Sequence, residues 1–278
     1  NTHFRGLGLA NLRWMFGPAI DIGVYIPLSW MTLAADYLLW GMNPFGYHLT
    51  NLLLHTANAV LCFFLMDRLF ERAIPETPER RMGAAVASLV FAVHPLRVEP
   101  VAWIVERRDV LSGLFFFLTL LAYLRYAGQP TRPEQKRWYG LTLAAYVLMM
   151  LSKAIGMTMP ALLLLLDYYP LRRLGHPVVG REAASTRCVW MEKIPFLLIG
   201  VVFALIAGYS QRQAGAVWLL SDLGIPARLA IMSYAMLFYL RKTLWPVGLY
   251  PIHQLPSAIH WTDPVYLGSA ALLIGLSA

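Results

Sequence analysis

Residues 82–126 read MGAAVASLVFAVHPLRVEPVAWIVERRDVLSGLFFFLTLLAYLRY, two apolar runs separated by a short charged segment. Both runs are continuous rather than alternating, a pattern that favours helices in lipid over the strands of a membrane β-barrel. A helix needs about 20 apolar residues to cross the hydrocarbon core of a bilayer. The stretch therefore predicts two membrane helices joined by a polar turn.

The composition of the whole chain extends this prediction. The 278 residues are 58% hydrophobic and 14% charged, whereas soluble domains carry about 25% charged residues. We therefore expect an all-α, polytopic transmembrane bundle that forms a single membrane domain over residues 1–278, with an external loop at 1–46 and the bundle at 47–278. Eight segments are candidate spans: 47–66, 82–94, 109–126, 138–152, 156–170, 191–209, 228–246 and 264–278.

The formal net charge is +8, and the basic residues cluster in short gaps between apolar runs. This distribution argues against nucleic-acid binding, which needs a continuous basic face. The positive-inside rule places the basic loops 67–81, 125–137 and 171–193 in the cytoplasm. The segments on the other side of the membrane are then 1–46, 95–108, the turn at Lys153 and 210–227.

Two features stand out in the N-terminal loop. The amphipathic segment LANLRWMF at 9–16 predicts an interfacial helix, because Trp14 and Phe16 suit the membrane boundary. Asp36 lies in the apolar segment LAADYLLWG. An unpaired carboxylate there is costly, so we expect it to have a partner.

The charged segment between the two apolar runs lies on the predicted external side, where orientation does not require arginines. Pro100 suits the first turn of a new short helix, on which Glu99, Trp103 and Glu106 would share a face. Carboxylates and guanidinium groups at a membrane boundary suit a phosphate-bearing lipid substrate. The structural alternative is that Asp109 caps the following helix while the arginines reach lipid headgroups.

A second polar pattern follows helical spacing in the first candidate span. His48, Asn51, His55 and Asn58 form one stripe, which we expect to face the bundle interior. The stripe suits either a site or hydrogen bonds that only join helices. Lys153 ends a span on the side of the arginine cluster, where it could meet a phosphate or extend to the interface.

Four stretches carry a family resemblance. They are FAVHPLRVEPVAWIVERRDVLSGLFFFLTLLAYLRY, LWGMNPFGYHLTNLLLHTANAVLCF, LSKAIGMTMPALLLLLDYYPL and YLRKTLWPVGLYP. Together they resemble the membrane O-mannosyltransferase-like family with C-terminal tetratricopeptide repeats (TMTC), especially its bacterial relatives. The resemblance implies an inverting GT-C-type hexosyltransferase that moves a sugar from a polyprenyl-phosphate donor to a protein or glycan acceptor. It also implies a multi-pass protein of the bacterial inner membrane with a periplasmic active face.

The resemblance also implies site residues. His94, Glu99 and Asp109 are expected to be catalytic, and Arg107, Arg108 and Lys153 are expected to bind the donor phosphate. The family's acidic pair, a base or metal site, is expected just before residue 1, and the repeats after the last span. Whether a divalent metal ion takes part stays open.

The match has departures. Arg97 stands where the family often has His, Pro100 where it has Ser or Ala, and Ile26 where His or Arg usually precedes Pro-Leu. The alternative function is a non-enzymatic membrane anchor or a lipid or solute transporter, although no related halves typical of transporters are evident.

Overall fold

The computed structural model describes residues 2–17, 23–73, 77–174, 186–215, 223–250 and 260–277. Their regular structure is helical, and no strand occurs among them, which confirms the all-α prediction. The helices are α1 Leu9–Phe16, α2 Pro27–Trp40, α3 Pro44–Ala73, α4 Pro78–Val93, α5 Val98–Ala102, α6 Arg107–Gly128, α7 Arg132–Ser152, α8 Met159–Tyr168, α9 Thr186–Met191, α10 Ile194–Gln213, α11 Ile225–Leu244 and α12 Pro264–Ser277. Short 3₁₀ helices cover Thr2–Phe4, Pro95–Arg97, Ile104–Glu106 and Ala154–Thr158.

Each of the eight predicted spans overlaps a helix, but fewer have the length and composition of a membrane span. Among the described residues, Pro44–Ala73, Ile104–Gly128 and Thr186–Gln213 do. Pro78–Val93 and Pro95–Ala102 reach that length and composition only together, with a bend of 55° between them that suits a broken span or a re-entrant loop. Helix α8 has 10 residues, a rise of about 15 Å, which is too short for a core of about 30 Å. The chain is an integral membrane protein with a helical bundle, and eight complete spans are not confirmed.

Residues up to 215 form one compact unit. Helix α6 packs on α7 and α3, and α3 also packs on α4. Because α6 and α7 run in opposite directions, the start of α6 lies beside the end of α7. We call this end of the bundle the site end. The ends of α3 and α6 and the start of α7 lie at the opposite end, which we call the far end.

The N-terminal segment contains more structure than predicted. Helix α1 confirms the predicted helix at LANLRWMF. The prediction of a loop over 1–46 missed α2, which has 14 residues and contacts α3, α6 and α7. Pro27 at its first position favours helix initiation, and the resulting helix carries Asp36 into the bundle.

The second unit covers residues 216–278, where α11 packs against α12. The rings of Tyr234 and Tyr266 join these helices, with centroids 5.8 Å apart. A single membrane domain over the whole chain stays a prediction.

Candidate active site at one end of the bundle

The charged segment is not one continuous helix. The 3₁₀ turn Pro95–Arg97 leads into α5, and Trp103 is extended before the next 3₁₀ turn. The prediction that Glu99, Trp103 and Glu106 share a helical face is therefore wrong. Glu99 is exposed, whereas Glu106 is buried, because the break at Trp103 turns the chain back toward the bundle.

Arg107 lies inside the protein and is fully buried. It forms an ion pair with Asp36, which confirms that this carboxylate has a partner. Its Nε donates to Asn51 Oδ1 at 2.8 Å, and its Nη2 donates to the Tyr47 carbonyl at 2.8 Å. Its Nη1 donates to the Thr32 carbonyl at 3.3 Å. These contacts join α2, α3 and α6.

This placement corrects one expectation about Arg107. Arg107 and Lys153 are both expected to bind the donor phosphate, but Arg107 points into the interior while Lys153 stays part-exposed. The physical reason is Asp36: α2 brings a buried carboxylate that needs a cation, and a buried charge is stable only when paired and hydrogen-bonded.

The next cation along the chain, Arg108, takes the place expected for Arg107. Its guanidinium forms an ion pair with the Glu106 carboxylate. Lys153 forms an ion pair with Asp109, and its Nζ lies 3.7 Å from Glu106 Oε2. We call these four residues the ion cluster. Two cations and two carboxylates make it formally neutral, and it ties the start of α6 to the end of α7.

A cavity of about 290 Å³ adjoins the ion cluster, and both Arg108 and Lys153 line it. The wall opposite the cations comes from residues 23–26 and from α10, where Gln211 donates to the Gly23 carbonyl at 2.6 Å. The volume is near the lower end of the about 300–1,000 Å³ of small-molecule sites. Burial raises the pKa of Tyr25, another lining residue, so its hydroxyl remains a neutral hydrogen-bond donor.

His94 and Glu99, which are also expected to be catalytic, lie outside the ion cluster. His94 ends α4, and its Nδ1 accepts a hydrogen bond from the Leu96 amide at 3.2 Å, which stabilises the 3₁₀ turn. None of His94, Glu99 and Asp109 is among the described residues that line the cavity. Asp109 is the expected catalytic residue that the structure brings to the cations, through Lys153.

The polar stripe of α3 faces the interior from Asn51 onward. Asn51, His55 and Asn58 are buried, but His48 is exposed, so the expectation that His48 joins the interior stripe is wrong. The three buried side chains contact backbone carbonyl oxygens of α5, α4 and α6 at 3.3, 2.9 and 2.8 Å. This pattern matches the structural alternative, in which the stripe joins helices.

A second buried network, which no sequence pattern indicated, lies near the far end. Asp167 lies 2.6 Å from Lys193 Nζ, and both side chains are fully buried. The Tyr123 hydroxyl donates to Asp167 at 2.6 Å and accepts from Lys193 at 2.7 Å and from Arg173 at 2.9 Å. Burial opposes the charge of Arg173, but Tyr123, Glu192 and Asp167 outweigh it and raise the pKa of Arg173. The network therefore joins α6 and α8 to the residue that precedes α10.

A metal centre is not evident in the part of the chain that the structure describes. His, Cys, Asp and Glu side chains form no group of three or more there that could hold a metal ion. Glu106 and Asp109 contribute two carboxylates, both engaged by cations. We therefore derive no step through a metal ion.

Known proteins with similar sequences include several that are named protein O-mannosyl-transferases. Protein O-mannosyl-transferase Tmtc3 of Drosophila melanogaster is 30% identical over 83% of this chain and 30% of its own length. The mouse protein O-mannosyl-transferase TMTC4 is 31% identical over 73% of this chain and 29% of its length. The human protein O-mannosyl-transferase TMTC2 is 33% identical over 54% of this chain and 17% of its length.

The chain thus spans no more than about a third of the curated relatives it matches. No family model and no solved structure matches it. The relatives are protein O-mannosyl-transferases by name, in agreement with the four sequence stretches that carry the resemblance. Over most of its own length, this integral membrane protein is therefore similar to one segment of the TMTC proteins.

Proposed function

We propose that this chain is part of a GT-C-type protein O-mannosyltransferase of the TMTC family that uses a polyprenyl-phosphate-linked donor. One observation carries the proposal: Arg108 and Lys153, 45 positions apart, line one cavity at the site end. The relatives' names supply the transferred sugar and the protein acceptor. The charge pattern of the loops favours a site on the non-cytoplasmic face, and the bacterial resemblance favours the periplasm.

The cations have a direct role in this reaction. The bond between the sugar's anomeric carbon and the phosphate oxygen breaks, and the phosphate leaves with the electron pair. A bond forms between the same carbon and the acceptor hydroxyl oxygen. Arg108 and Lys153 stabilise the negative charge that develops on the leaving phosphate. Electrostatic stabilisation of this kind makes the largest single contribution to the rate acceleration of many enzymes.

The carboxylates hold these cations in place before the donor binds. Glu106 contacts both cations, so it fixes their separation. The Lys153 side chain is 28% exposed and the Asp109 side chain 27% exposed. Lys153 can therefore turn from Asp109 to a phosphate without a change in the helices, and Asp109 is then open to accept the proton of the acceptor hydroxyl.

Arg107 does not contact the donor in this scheme. It is a positioning residue, since its buried contacts with α2 and α3 fix the start of α6, where Arg108 and Asp109 follow. The roles expected for His94 and Glu99 at the acceptor stay predictions.

The test uses the full-length protein in liposomes, with a polyprenyl-phosphate mannose donor and a peptide acceptor. We expect Lys153→Gln and Arg108→Gln each to lower kcat by about 10²–10³-fold, because each removes one group that stabilises the leaving phosphate. Lys153→Arg keeps the charge and should recover part of this loss. Arg13→Gln is the control, since Arg13 is exposed on α1 in the predicted external loop and does not line the cavity.

Unchanged transfer by both glutamine variants would remove the assignment of the donor site. A folded full-length protein with no transfer at all would favour the alternative, a membrane anchor or transporter.

A further inference from the structure

We propose that the far end of the bundle holds an anionic phospholipid, with its acyl chain between α3, α6 and α7 and its phosphate at Arg68, Arg72 and Arg125. The proposal rests on a cavity of about 710 Å³ that these three helices line. It is the larger of the two cavities described here, and it shares no lining residue with the cavity at the ion cluster. The inference is independent of the proposed function.

The shape of the cavity suits one lipid chain. Its lining on α6 extends from Phe115 to Gly128, which corresponds to about 20 Å along the helix at 1.5 Å per residue. One leaflet with its headgroup region is half of a bilayer of about 40–45 Å. The cavity thus extends through about one leaflet, from the middle of the bundle to its far end.

The lining changes character along this length. Toward the middle of the bundle it is formed by apolar side chains such as Phe115, Leu118 and Leu148. At the far end it contains three arginines, Gln129 and the Trp138 ring. Apolar walls with a cationic rim match a lipid whose tail is apolar and whose headgroup is anionic.

The arginines are held where a headgroup would lie. Arg72 Nη2 donates to the Leu124 carbonyl at 3.0 Å, near the end of α6. Arg125 lies over the Trp138 ring, 5.5 Å from its centroid. Arg68 pairs with Glu71 at 2.9 Å, but both side chains are nearly half exposed. An exposed pair of this kind is weak, so Arg68 can turn toward a phosphate at little cost.

Selectivity should come from the headgroup alone. Lipid tails are as apolar as the lining side chains, so exchange of one lipid for another leaves the tail contacts nearly unchanged. Each arginine near an anionic headgroup changes lipid affinity by about fivefold, from about 1 kcal/mol per basic residue. Three arginines should therefore distinguish phosphatidylglycerol from phosphatidylcholine by well over tenfold.

The test measures lipid retention on the full-length protein by native mass spectrometry. Phosphatidylglycerol and phosphatidylcholine with identical acyl chains are added at equal concentration. We expect phosphatidylglycerol to be preferred by at least about tenfold, and the variant R68Q/R72Q/R125Q to lose that preference. The control R132Q/K136Q/R137Q removes the same charge from exposed residues at the start of α7 that do not line the cavity.

A second variant keeps all three arginines and fills the cavity. Ala144 lines it and is exposed, so Ala144→Trp should be tolerated and should displace both lipids. Equal retention of the two lipids by the parent protein would overturn the proposal. So would an equal loss of preference in the control, or full retention of phosphatidylglycerol by Ala144→Trp.

Discussion

Removal of the Asp36 carboxylate should destabilise the whole site end. In Asp36→Asn the fully buried Arg107 keeps its charge but loses its only ion-pair partner in the described structure. Loss of one partner of a buried ion pair costs about 3–5 kcal/mol, because the other charge stays buried without compensation. At about 2–4 °C per kcal/mol, the unfolding midpoint should fall by about 6–20 °C.

The assay is thermal unfolding of the purified full-length protein in detergent, followed by size-exclusion chromatography. Asp36→Leu combined with Arg107→Met removes both charges, so it should be less destabilised than either single variant. Arg132→Met, at an exposed position, should change the free energy of unfolding by less than about 0.5 kcal/mol. A midpoint within 2 °C of the parent for Asp36→Asn would refute the reasoning, as would an Arg107→Gln variant that loses transfer but keeps full stability.

Three further substitutions test the packing of the bundle. Tyr123→Phe removes a hydroxyl that contacts Asp167, Lys193 and Arg173. The variant should therefore lose about 1–3 kcal/mol of unfolding free energy in detergent. An unchanged value would mean that the buried charges are stable without this hydroxyl. Gly46→Ala places a Cβ 2.1 Å from the Trp40 ring, so the variant should lose about 1–3 kcal/mol. In Gly140→Ala the added Cβ meets nothing within 4 Å in the middle of α7, so the free energy of unfolding should rise by up to about 1 kcal/mol. A Gly46→Ala variant that is more stable than Gly140→Ala would contradict the structure.

The features of the fold that follow from sequence periodicity and local charge could be predicted. Continuous apolar runs located a helix at each of the eight candidate spans, although not α2, and the spacing of Asn51, His55 and Asn58 identified the buried face of α3. The cost of a buried carboxylate predicted a partner for Asp36, and the loop charges placed Lys153 and Asp109 at the same end. These inferences depend on local patterns or on the side of the membrane, both of which a single sequence contains.

The pairing of side chains between helices was not predictable. The sequence shows Arg107 and Arg108 as equal neighbours, and their separation into a buried and a cavity-lining residue depends on how α2 packs. The contact between Asp167 and Lys193 joins α8 to the flank of α10, and no spacing rule connects them. The extended residue at Trp103 likewise broke a helical face that the spacing of Glu99 and Glu106 suggested.

The central claim is that Arg108 and Lys153 bind the donor phosphate in the cavity beside the ion cluster. The most direct measurement is an experimental structure of the full-length protein with a bound polyprenyl phosphate. Our account predicts phosphate oxygens at about 2.7–3.2 Å from Lys153 Nζ and from the Arg108 guanidinium, with Arg107 still paired to Asp36. A phosphate bound elsewhere, with Lys153 still held by Asp109, would contradict it.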